Sequence, residues 1–361
     1  MSGNKLIANL KEFPSTRYRG SKRKVLPWIF EKVSDLSFDT VLDAFSGTSS
    51  VSFLFKKMRK EVTSVDILKS NYQTSVALIQ NNYVILEKDE IEFISSNNGY
   101  DYPTFIQEAF NGIYFKKAEN EWLDMAIKNI GMLSEFCSKK EVKFKTALAY
   151  HSLFQACISK RPYNLFHRSN LNMRLATVNR SFNNYKTWET PFNDMFTKFC
   201  NESNTKVFDN GRNNKTKCMN ILKTKQTDYD LVYFDPPYFK EKCNNDNDYF
   251  LNYHFLEGIL NYSSWESLIN YEKKHKPLKK IAPSWDVENA EKNMNILFNK
   301  FSDSTIVLSY GTPGEPTIER IKEILGQYKS DISIEHREYT YSLNKANKNG
   351  NNNYETLIIA R

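Results

Sequence analysis

The chain of 361 residues has few cysteines and no pattern that would use them together. Its five cysteines are odd in number, scattered and never spaced as Cys-x-x-Cys, which argues against a disulfide framework and a zinc ribbon. The five histidines form no His-Glu-x-x-His pattern, and we expect no metal site. No run of 18 apolar residues occurs, and residues 1–15 lack the apolar core of a secretory signal. These absences predict a cytoplasmic protein with reduced thiols.

Acidic residues are missing from one long stretch. From Val142 to Trp188 there is no Asp or Glu, and the Lys and Arg residues give this stretch a charge of +8, equal to the formal net charge of the whole chain. Lys and Arg bind phosphates, while Arg and Asn can hydrogen-bond to the edges of guanine and adenine. The alternative is a basic surface covering a helical lobe. We predict nucleic-acid contacts at Lys160, Arg161, Asn164, Arg168, Asn170 and Arg174.

The stretch Leu231-Val-Tyr-Phe-Asp-Pro-Pro-Tyr238 carries the most specific chemistry. Its first half is apolar and predicts a buried strand, which the two prolines end. A carboxylate, an imide carbonyl and an aromatic ring therefore follow the carboxyl end of a strand, where open α/β sheets bind ligands. Two acceptors can hold an amino group by both hydrogens, and a ring can stack on a flat heterocycle. This set suits the exocyclic amine of a nucleobase; an ordinary Pro-Pro turn is the alternative.

A second strand–turn–helix pattern predicts a nucleotide or cofactor site. Thr40 to Phe45 reads as a strand, Ser46 to Ser50 as a small-residue turn and Val51 to Met58 as a helix. The next strand, Glu61 to Asp66, ends in an acid 23 residues after Asp43, where a ribose diol is commonly bound. The small residues allow the backbone to approach a ligand closely.

The alternation of strands and helices disappears between about residues 88 and 205, where helix-spaced apolar residues dominate. We therefore predict a catalytic domain formed by residues 1–87 and 205–361, with an inserted target-recognition domain at 88–204. Later strands are expected at Ser304–Ser309, Ile332–Tyr341 and Tyr354–Ala360. The polar segment 344–353 is expected to be a loop or hairpin that could touch a nucleic-acid backbone.

Taken together, these segments resemble the S-adenosylmethionine-dependent DNA adenine-N6 methyltransferases of the Dam-like group. The resemblance rests on Tyr18-Arg-Gly-Ser-Lys22, Asp43-Ala-Phe-Ser-Gly-Thr-Ser49, Asp66 and the signature Asp235-Pro-Pro-Tyr238, in the family's order. It implies a Rossmann-like methyltransferase mixed α/β sheet with a mainly helical, basic insertion. It also implies S-adenosyl-L-methionine as cofactor, double-stranded DNA as substrate, and possible pairing with a restriction endonuclease.

The resemblance assigns a role to each matching position. It implies that Tyr18 and Lys22 contact the cofactor's methionine end or the target strand, and that Asp66 holds the ribose hydroxyls. Asp235 and Pro236 would accept hydrogen bonds from the target amine, and Tyr238 would stack on the flipped base. The implied site residues are, for catalysis, Asp235, Pro236, Pro237 and Tyr238, and for the cofactor, Tyr18, Lys22, Asp43, Phe45, Gly47, Asp66 and Asp235.

Two departures from the family pattern concern the cofactor. Ser49 stands where the family's loop usually has a second glycine, which predicts weaker cofactor binding. Asn220 stands where an acid often ends the third strand. Two alternatives remain open at this point: a DNA cytosine-N4 methyltransferase, which more often has Ser than Asp before Pro-Pro-Tyr, and a non-catalytic DNA-binding module on the same scaffold.

Overall fold

A computed structural model of the protein describes Phe13, Tyr18 and residues 20–168, 171, 173–176, 184–225, 228–239, 248–279, 285–286, 288–338 and 354–361. Three predictions lie wholly or partly outside these residues: the nucleic-acid contact at Asn170, the polar segment 344–353 and the last three residues of the predicted strand Ile332–Tyr341. Within the described residues, no helix is long and apolar enough to span a membrane.

The described residues form a seven-stranded mixed sheet. Its strands are β1 (Thr40–Asp43), β2 (Glu61–Asp66), β3 (Lys215–Cys218), β4 (Leu231–Phe234), β5 (Thr305–Thr312), β6 (Ile332–Glu338) and β7 (Tyr354–Ala360). The strand order is β3-β2-β1-β4-β5-β7-β6, with β7 antiparallel to both of its neighbours and the pairs from β3 to β5 parallel. The predicted Rossmann-like mixed α/β sheet is confirmed.

The position of the candidate site follows from this strand order. The chain runs outward from β1 to β2 and β3, then returns to the other side of β1 to form β4. Neighbouring parallel strands that continue in opposite directions leave a crevice beyond their carboxyl ends, where ligands bind in open α/β sheets. Asp43 ends β1 and Asp235 directly follows β4, so both acids lie at this crevice.

The central strands are buried on both faces, which explains their nearly continuous apolar sequences. Along β4, Tyr233 packs in one hydrophobic cluster, and Val232 and Phe234 pack in the other. The smaller cluster lies against two amphipathic helices, Ala290–Lys300 and Ile318–Leu325. The larger cluster contains residues from helices that flank the sheet and from most helices of the segment 88–204.

The remaining helices, numbered in chain order, are α1 (Leu26–Val33), α2 (Ser50–Lys57), α3 (Lys69–Ser75), α4 (Lys88–Ser95), α5 (Phe105–Ala109), α6 (Lys117–Gly131), α7 (Lys139–Ser159), α8 (Asn184–Glu189), α9 (Phe192–Asn204), α10 (Tyr249–Ile259) and α11 (Trp265–Leu268). The segment 88–204 contains no described β-strand, as expected. Because its buried residues join the cluster that covers the sheet, it packs on the sheet domain through a continuous core. The division into two domains stays a prediction.

Candidate active site

The chain turns after β4, and the turn presents two acceptors. All four residues of β4 are buried, and Pro236 and Pro237 end the strand because a proline nitrogen has no proton for the sheet. The carbonyl of Pro237 accepts a 2.9 Å hydrogen bond from the indole N–H of Trp285. The carbonyl of Pro236 has no hydrogen-bond partner among the described residues. The carbonyl that remains available to a ligand is therefore that of Pro236, the residue next to Asp235.

Asp235 is anchored through one of its two carboxylate oxygens. Nζ of Lys22, in a side chain only 8% exposed, lies 2.9 Å from Oδ1 of Asp235 and 3.0 Å from Oε1 of Glu355. Oδ2 of Asp235 has no hydrogen-bond partner in the described part of the chain, and the Asp235 side chain is 19% exposed. Burial raises the pKa of Asp235 to about 6, against the opposing effect of the Lys22 ammonium. One carboxylate oxygen is thus fixed and the other is open to a substrate.

Tyr238 is seated against a glycine on β5. A Cβ atom on Gly311 would lie 2.6 Å from Cζ of Tyr238, so a side chain at this position would displace the ring. The Tyr238 ring also lies 5.6 Å from the ring of Tyr310, at an interplanar angle of 58°. The next residue, Phe239, is fixed by the N–H of Glu315, which donates to its carbonyl at 2.8 Å. The half-buried ring of Tyr238 is therefore held close to the corner that bears Asp235.

The end of β1 carries a second buried acid. Oδ2 of Asp43 accepts a 2.6 Å hydrogen bond from the hydroxyl of Ser52, whereas Oδ1 is buried and has no partner in the described residues. Burial, together with the nearby carboxylates of Asp235 and Asp66, raises the pKa of Asp43 to about 7, and the hydrogen bond from Ser52 opposes the rise. A buried carboxylate oxygen without a donor is costly. Oδ1 of Asp43 is therefore suited to a positively charged or amine donor from a ligand.

The loop after β1 is tied to the end of β2. Gly47 has a φ of +49°, and its N–H donates to Oδ2 of Asp66 at 2.8 Å. The N–H of Leu68 donates to the other oxygen at 2.8 Å. Burial raises the pKa of Asp66, and these amides oppose the rise. Since each carboxylate oxygen can accept a second hydrogen bond, Asp66 retains capacity for a diol.

Ser49 adopts the conformation that glycine would favour. Its φ is +62°, in the left-handed region, and the residue is fully buried. Its hydroxyl lies 2.6 Å from that of Ser75, at the end of α3. The position expected for a second glycine thus keeps the glycine backbone but carries a hydroxyl that ties the loop to α3. The effect on cofactor affinity stays a prediction, as does that of Asn220, whose side chain accepts from the N–H of Leu222 just after β3.

Aromatic rings surround the predicted cofactor residues. The ring of Tyr18 is nearly parallel to that of Tyr253, with centroids 4.2 Å apart, and to that of Tyr249, at 5.9 Å. The ring of Phe45 contacts Trp285 edge-on at 5.1 Å. Sequence reasoning missed Tyr249, Tyr253 and Trp285. The two tyrosines are four residues apart on α10, and this spacing was the available signal because such residues lie on one helix face.

Glu257, on α10, fixes the segment that follows Asp66. Its carboxylate accepts hydrogen bonds from the N–H groups of Lys69 (3.1 Å) and Ser70 (2.9 Å), at the start of α3. These amides have no partner within the helix, and a carboxylate satisfies them well. Burial raises the pKa of Glu257. The contacts of Glu257 join α10 to a segment almost 190 residues earlier in the chain and could not be read from the sequence.

Three of the predicted nucleic-acid contacts are corrected by the structure. Lys160, Arg161 and Arg174 are at most 2% exposed. Lys160 and Arg174 form ion pairs with Glu119, and Arg161 donates to the carbonyls of Tyr114 and Leu165. Cations enclosed in this way hold the helical segment together and offer no open surface to a phosphate.

Arg168 and Asn164 differ from these three cations. Arg168 is exposed and Asn164 is half-buried. The hydroxyl of Tyr114 lies 3.2 Å from the carbonyl of Phe166 and donates to that of His275 at 2.7 Å, which brings the loops 161–168 and 270–279 together. Burial lowers the pKa of His275, and the positive charges of Lys273 and Arg168 lower it further, so each of these cations lies near His275.

Two comparisons with known proteins bear on this site. A sequence model of the family described as D12 class N6 adenine-specific DNA methyltransferase matches residues 18–343, nearly the whole chain. The chain is also similar to the Type II methyltransferase M2.HphI of Haemophilus parahaemolyticus, with 28% identity over 353 residues that cover 94% of this chain and 96% of the relative. The family match includes every candidate residue at the crevice apart from Glu355 on β7.

Proposed function

The chain belongs to the D12 class of N6 adenine-specific DNA methyltransferases, and we propose that the corner after β4 is the place where the adenine amine is methylated. Membership of this family identifies adenine rather than cytosine as the target base, and an enzyme rather than a non-catalytic scaffold. These were the alternatives that the sequence left open. The observation that carries the proposal is the carboxylate of Asp235, with Oδ1 bound to Lys22 and Oδ2 open.

We propose S-adenosyl-L-methionine as the methyl donor, held in the crevice between the ends of β1 and β4. Bound there, it would supply an electrophilic methyl group. The buried, unpartnered Oδ1 of Asp43 suits the ammonium of its methionine end, and Asp66 suits its ribose hydroxyls. Phe45, Gly47 and Tyr18 would complete the pocket. Since the Lys22 ammonium lies between two carboxylates, we assign it to holding Asp235 rather than the cofactor.

The adenine must leave the duplex to reach these residues, at a cost of a few kcal/mol. Once it is in the crevice, Oδ2 of Asp235 and the carbonyl of Pro236 would each accept one N–H of the amine. Tyr238 would stack on the base, and Pro237 would keep the turn rigid. The lone pair of an adenine amine is delocalised into the ring. Two acceptors pulling on its hydrogens favour a pyramidal nitrogen whose lone pair is free to react.

Asp235 would also stabilise the charge that develops. The amine nitrogen becomes positively charged as its new bond to carbon forms, and a fixed carboxylate in a partly buried site stabilises such a charge more strongly than water does. The nitrogen must then lose one proton, and Oδ2 of Asp235 is placed to accept it. With its pKa raised to about 6, this carboxylate is ionised at neutral pH.

For DNA binding we propose the surface formed by the loops 161–168 and 270–279. Its exposed cations include Arg168, Lys273 and Lys274. Lysine and arginine side chains neutralise backbone phosphates, which positions the duplex without reading its sequence. Asn164, half-buried in the same loop as Arg168, is the proposed base contact. The inserted segment 88–204 would then act together with the 270–279 loop in target recognition.

The biological setting is a further part of the proposal. The similar protein from Haemophilus parahaemolyticus is named as a Type II methyltransferase, and we propose that this chain protects DNA in the cytoplasm against a paired restriction endonuclease. The pairing can be tested by expressing the enzyme in a host and challenging the isolated DNA with a panel of endonucleases. Sites that become resistant would identify the target sequence.

The role of Asp235 can be tested with labelled S-adenosylmethionine and unmethylated DNA of mixed sequence. The wild-type protein should produce labelled N6-methyladenine. Asp235→Asn removes the negative charge with little change of shape, and it should lower the initial rate by about 10²–10³-fold, the usual cost of losing one charge-stabilising contact. DNA binding should persist. A normal rate in this variant would refute the assignment.

A further inference from the structure

Glu355 is a buried acid near the start of β7, which pairs with both β5 and β6. It lies on β7, opposite Gly311 of β5, and is 3% exposed. Acids are rarely buried in this way unless they are paired. Oε1 of Glu355 accepts a 2.6 Å hydrogen bond from the hydroxyl of Ser309 and lies 3.0 Å from Nζ of Lys22. Its charge is therefore compensated by the lysine that also contacts Asp235.

Lys22 thus lies between two carboxylates, at 2.9 Å from Asp235 and 3.0 Å from Glu355. Two carboxylates and one ammonium give the cluster a formal charge of −1. Without Glu355, the remaining pair of Lys22 and Asp235 would be formally neutral. Lys22 would then neutralise Asp235 on its own and would lose the second anchor that fixes its ammonium.

We propose that Glu355 is a positioning residue for methyl transfer, which shares Lys22 with Asp235 and so keeps Asp235 oriented and the cluster of Lys22, Asp235 and Glu355 net negative. This inference rests on the proposed role of Asp235. Glu355 contacts Lys22 and Ser309 and acts on the substrate amine only through them. Its effect is largest where positive charge develops on the amine, since charge interactions are strong in a site that excludes water.

The charges around Asp235 support this arrangement. Burial is the first cause of the raised pKa of Asp235; Lys22 lowers that pKa and Glu355 raises it. The pKa of Lys22 is raised well above its usual value because the two carboxylates outweigh its burial. Removal of the charge of Glu355 should therefore lower the pKa of Asp235 and make its carboxylate a weaker acceptor.

The test is Glu355→Gln, which keeps an oxygen for the Ser309 hydroxyl and removes only the charge. With labelled S-adenosylmethionine and unmethylated DNA of mixed sequence, we expect the initial rate at saturation to fall by roughly tenfold, less than for a direct charge-stabilising contact. The KM values for DNA and cofactor should change little. The acid limb of the pH–rate profile should move to lower pH, a change that a purely structural role would not cause.

Two further variants keep the inference falsifiable. Glu355→Asp retains the carboxylate, so its acid limb should stay close to that of the wild type even if its stability falls. Glu90→Gln is a matched control, because Glu90 forms another largely buried ion pair, 2.6 Å from Lys145 in the helical segment. It should leave the acid limb in place.

The outcomes separate this inference from the proposed function. If Asp235→Asn loses activity while Glu355→Gln keeps the wild-type rate and pH profile, the role of Glu355 is overturned and that of Asp235 stands. A normal rate in Asp235→Asn overturns both. If Glu355→Gln fails to fold, the pH–rate profile of Glu355→Asp tests the inference instead. An acid limb that moves from its wild-type position to neutral pH in this variant would contradict the inference.

Discussion

Arg174 donates two hydrogen bonds to the carboxylate of Glu119, at 2.7 and 2.8 Å. The same carboxylate accepts a 2.8 Å hydrogen bond from Lys160. The two cations belong to a stretch without any acid, whereas Glu119 precedes that stretch in the sequence. The most basic part of the chain is therefore partly neutralised from within the fold, and its buried cations serve stability.

The first prediction concerns this cluster. Glu119→Gln leaves the ammonium of Lys160 and the guanidinium of Arg174 buried without their shared countercharge. Breaking a buried pair in this way costs about 3–5 kcal/mol. We expect a loss of that order in the free energy of unfolding, measured by urea denaturation. The control is Glu121→Gln on the same helix, where the exposed pair with Lys117 at 3.9 Å should contribute less than about 1 kcal/mol. Equal losses would contradict the prediction.

The second prediction concerns DNA binding. Arg168→Ala, and separately the double substitution Lys273→Ala and Lys274→Ala, should weaken binding to duplexes of any sequence. Each lost phosphate contact should reduce the slope of log K against log salt concentration by about 0.9. Fluorescence anisotropy at several salt concentrations measures this slope.

Lys139 and Lys140 provide the matched control for the second prediction. They are exposed lysines at the start of α7, whose 21 residues separate them by about 30 Å from the end that leads into the loop 161–168. Replacement of both by alanine should leave the salt dependence unchanged. A change as large as that for Lys273 and Lys274 would place the DNA elsewhere.

The third prediction uses the raised pKa of Asp43. Asp43→Asn keeps an oxygen for the Ser52 hydroxyl but removes the charge that we assign to the cofactor's ammonium. Loss of a hydrogen bond to a charged group costs about 1.5–3 kcal/mol, which corresponds to about 10- to 100-fold in Kd. Calorimetric titration with S-adenosylmethionine should show this weakening. Unchanged affinity would remove Asp43 from the cofactor site.

The same substitution should stabilise the cofactor-free protein above neutral pH. The pKa of Asp43 is about 7 in the folded protein against 3.8 for an ordinary Asp, so between these values the folded state holds a proton that the unfolded chain lacks. The free energy of unfolding therefore falls as pH rises through this window. The amide in Asp43→Asn does not titrate. The variant's advantage should be largest near pH 8 and vanish below about pH 4.

Sequence reasoning located the strands that carry the site because their composition is distinctive. Glu61–Asp66 and Tyr354–Ala360 coincide with β2 and β7 as predicted. The third strand was placed near Asn220 only through the family resemblance, since Lys215–Cys218 is an exposed strand at the edge of the sheet with no apolar pattern. A strand of this kind is defined by its pairing with β2, which local composition does not encode.

The contacts within the site could not be predicted for the same reason, because they join residues that are distant in the sequence. Lys22 and Asp235 were each selected from local motifs, but their ion pair joins residues from distant parts of the chain. Glu355 lies in a segment whose sequence predicted a strand but no site residue. Its role depends on the register of β7 against β5, which places it near Lys22. A count of charges along the chain also failed for Lys160 and Arg174, because the acid that neutralises them is supplied by another helix.

The last prediction concerns the strained backbone at Ser49. A residue other than glycine in the left-handed region costs roughly 1–2 kcal/mol. Ser49→Ala and Ser49→Gly both lose the hydroxyl contact with Ser75, but only glycine relieves the strain, at some entropic cost in the unfolded chain. We therefore expect the Gly variant to be more stable than the Ala variant by about 1 kcal/mol, measured by thermal or urea denaturation.

Ser152, buried in the middle of α7, should show the opposite order. Its backbone is helical, so the free energy of unfolding of Ser152→Ala should exceed that of Ser152→Gly by about 1 kcal/mol. If alanine were also the better residue at position 49, the loop would not be strained, and the serine would be an ordinary occupant of the site. If glycine is better, as we expect, then the chain accepts strain in the loop after β1 in exchange for the hydroxyl contact between Ser49 and Ser75. In that case calorimetry on Ser49→Gly should also show whether this contact changes the affinity for S-adenosylmethionine.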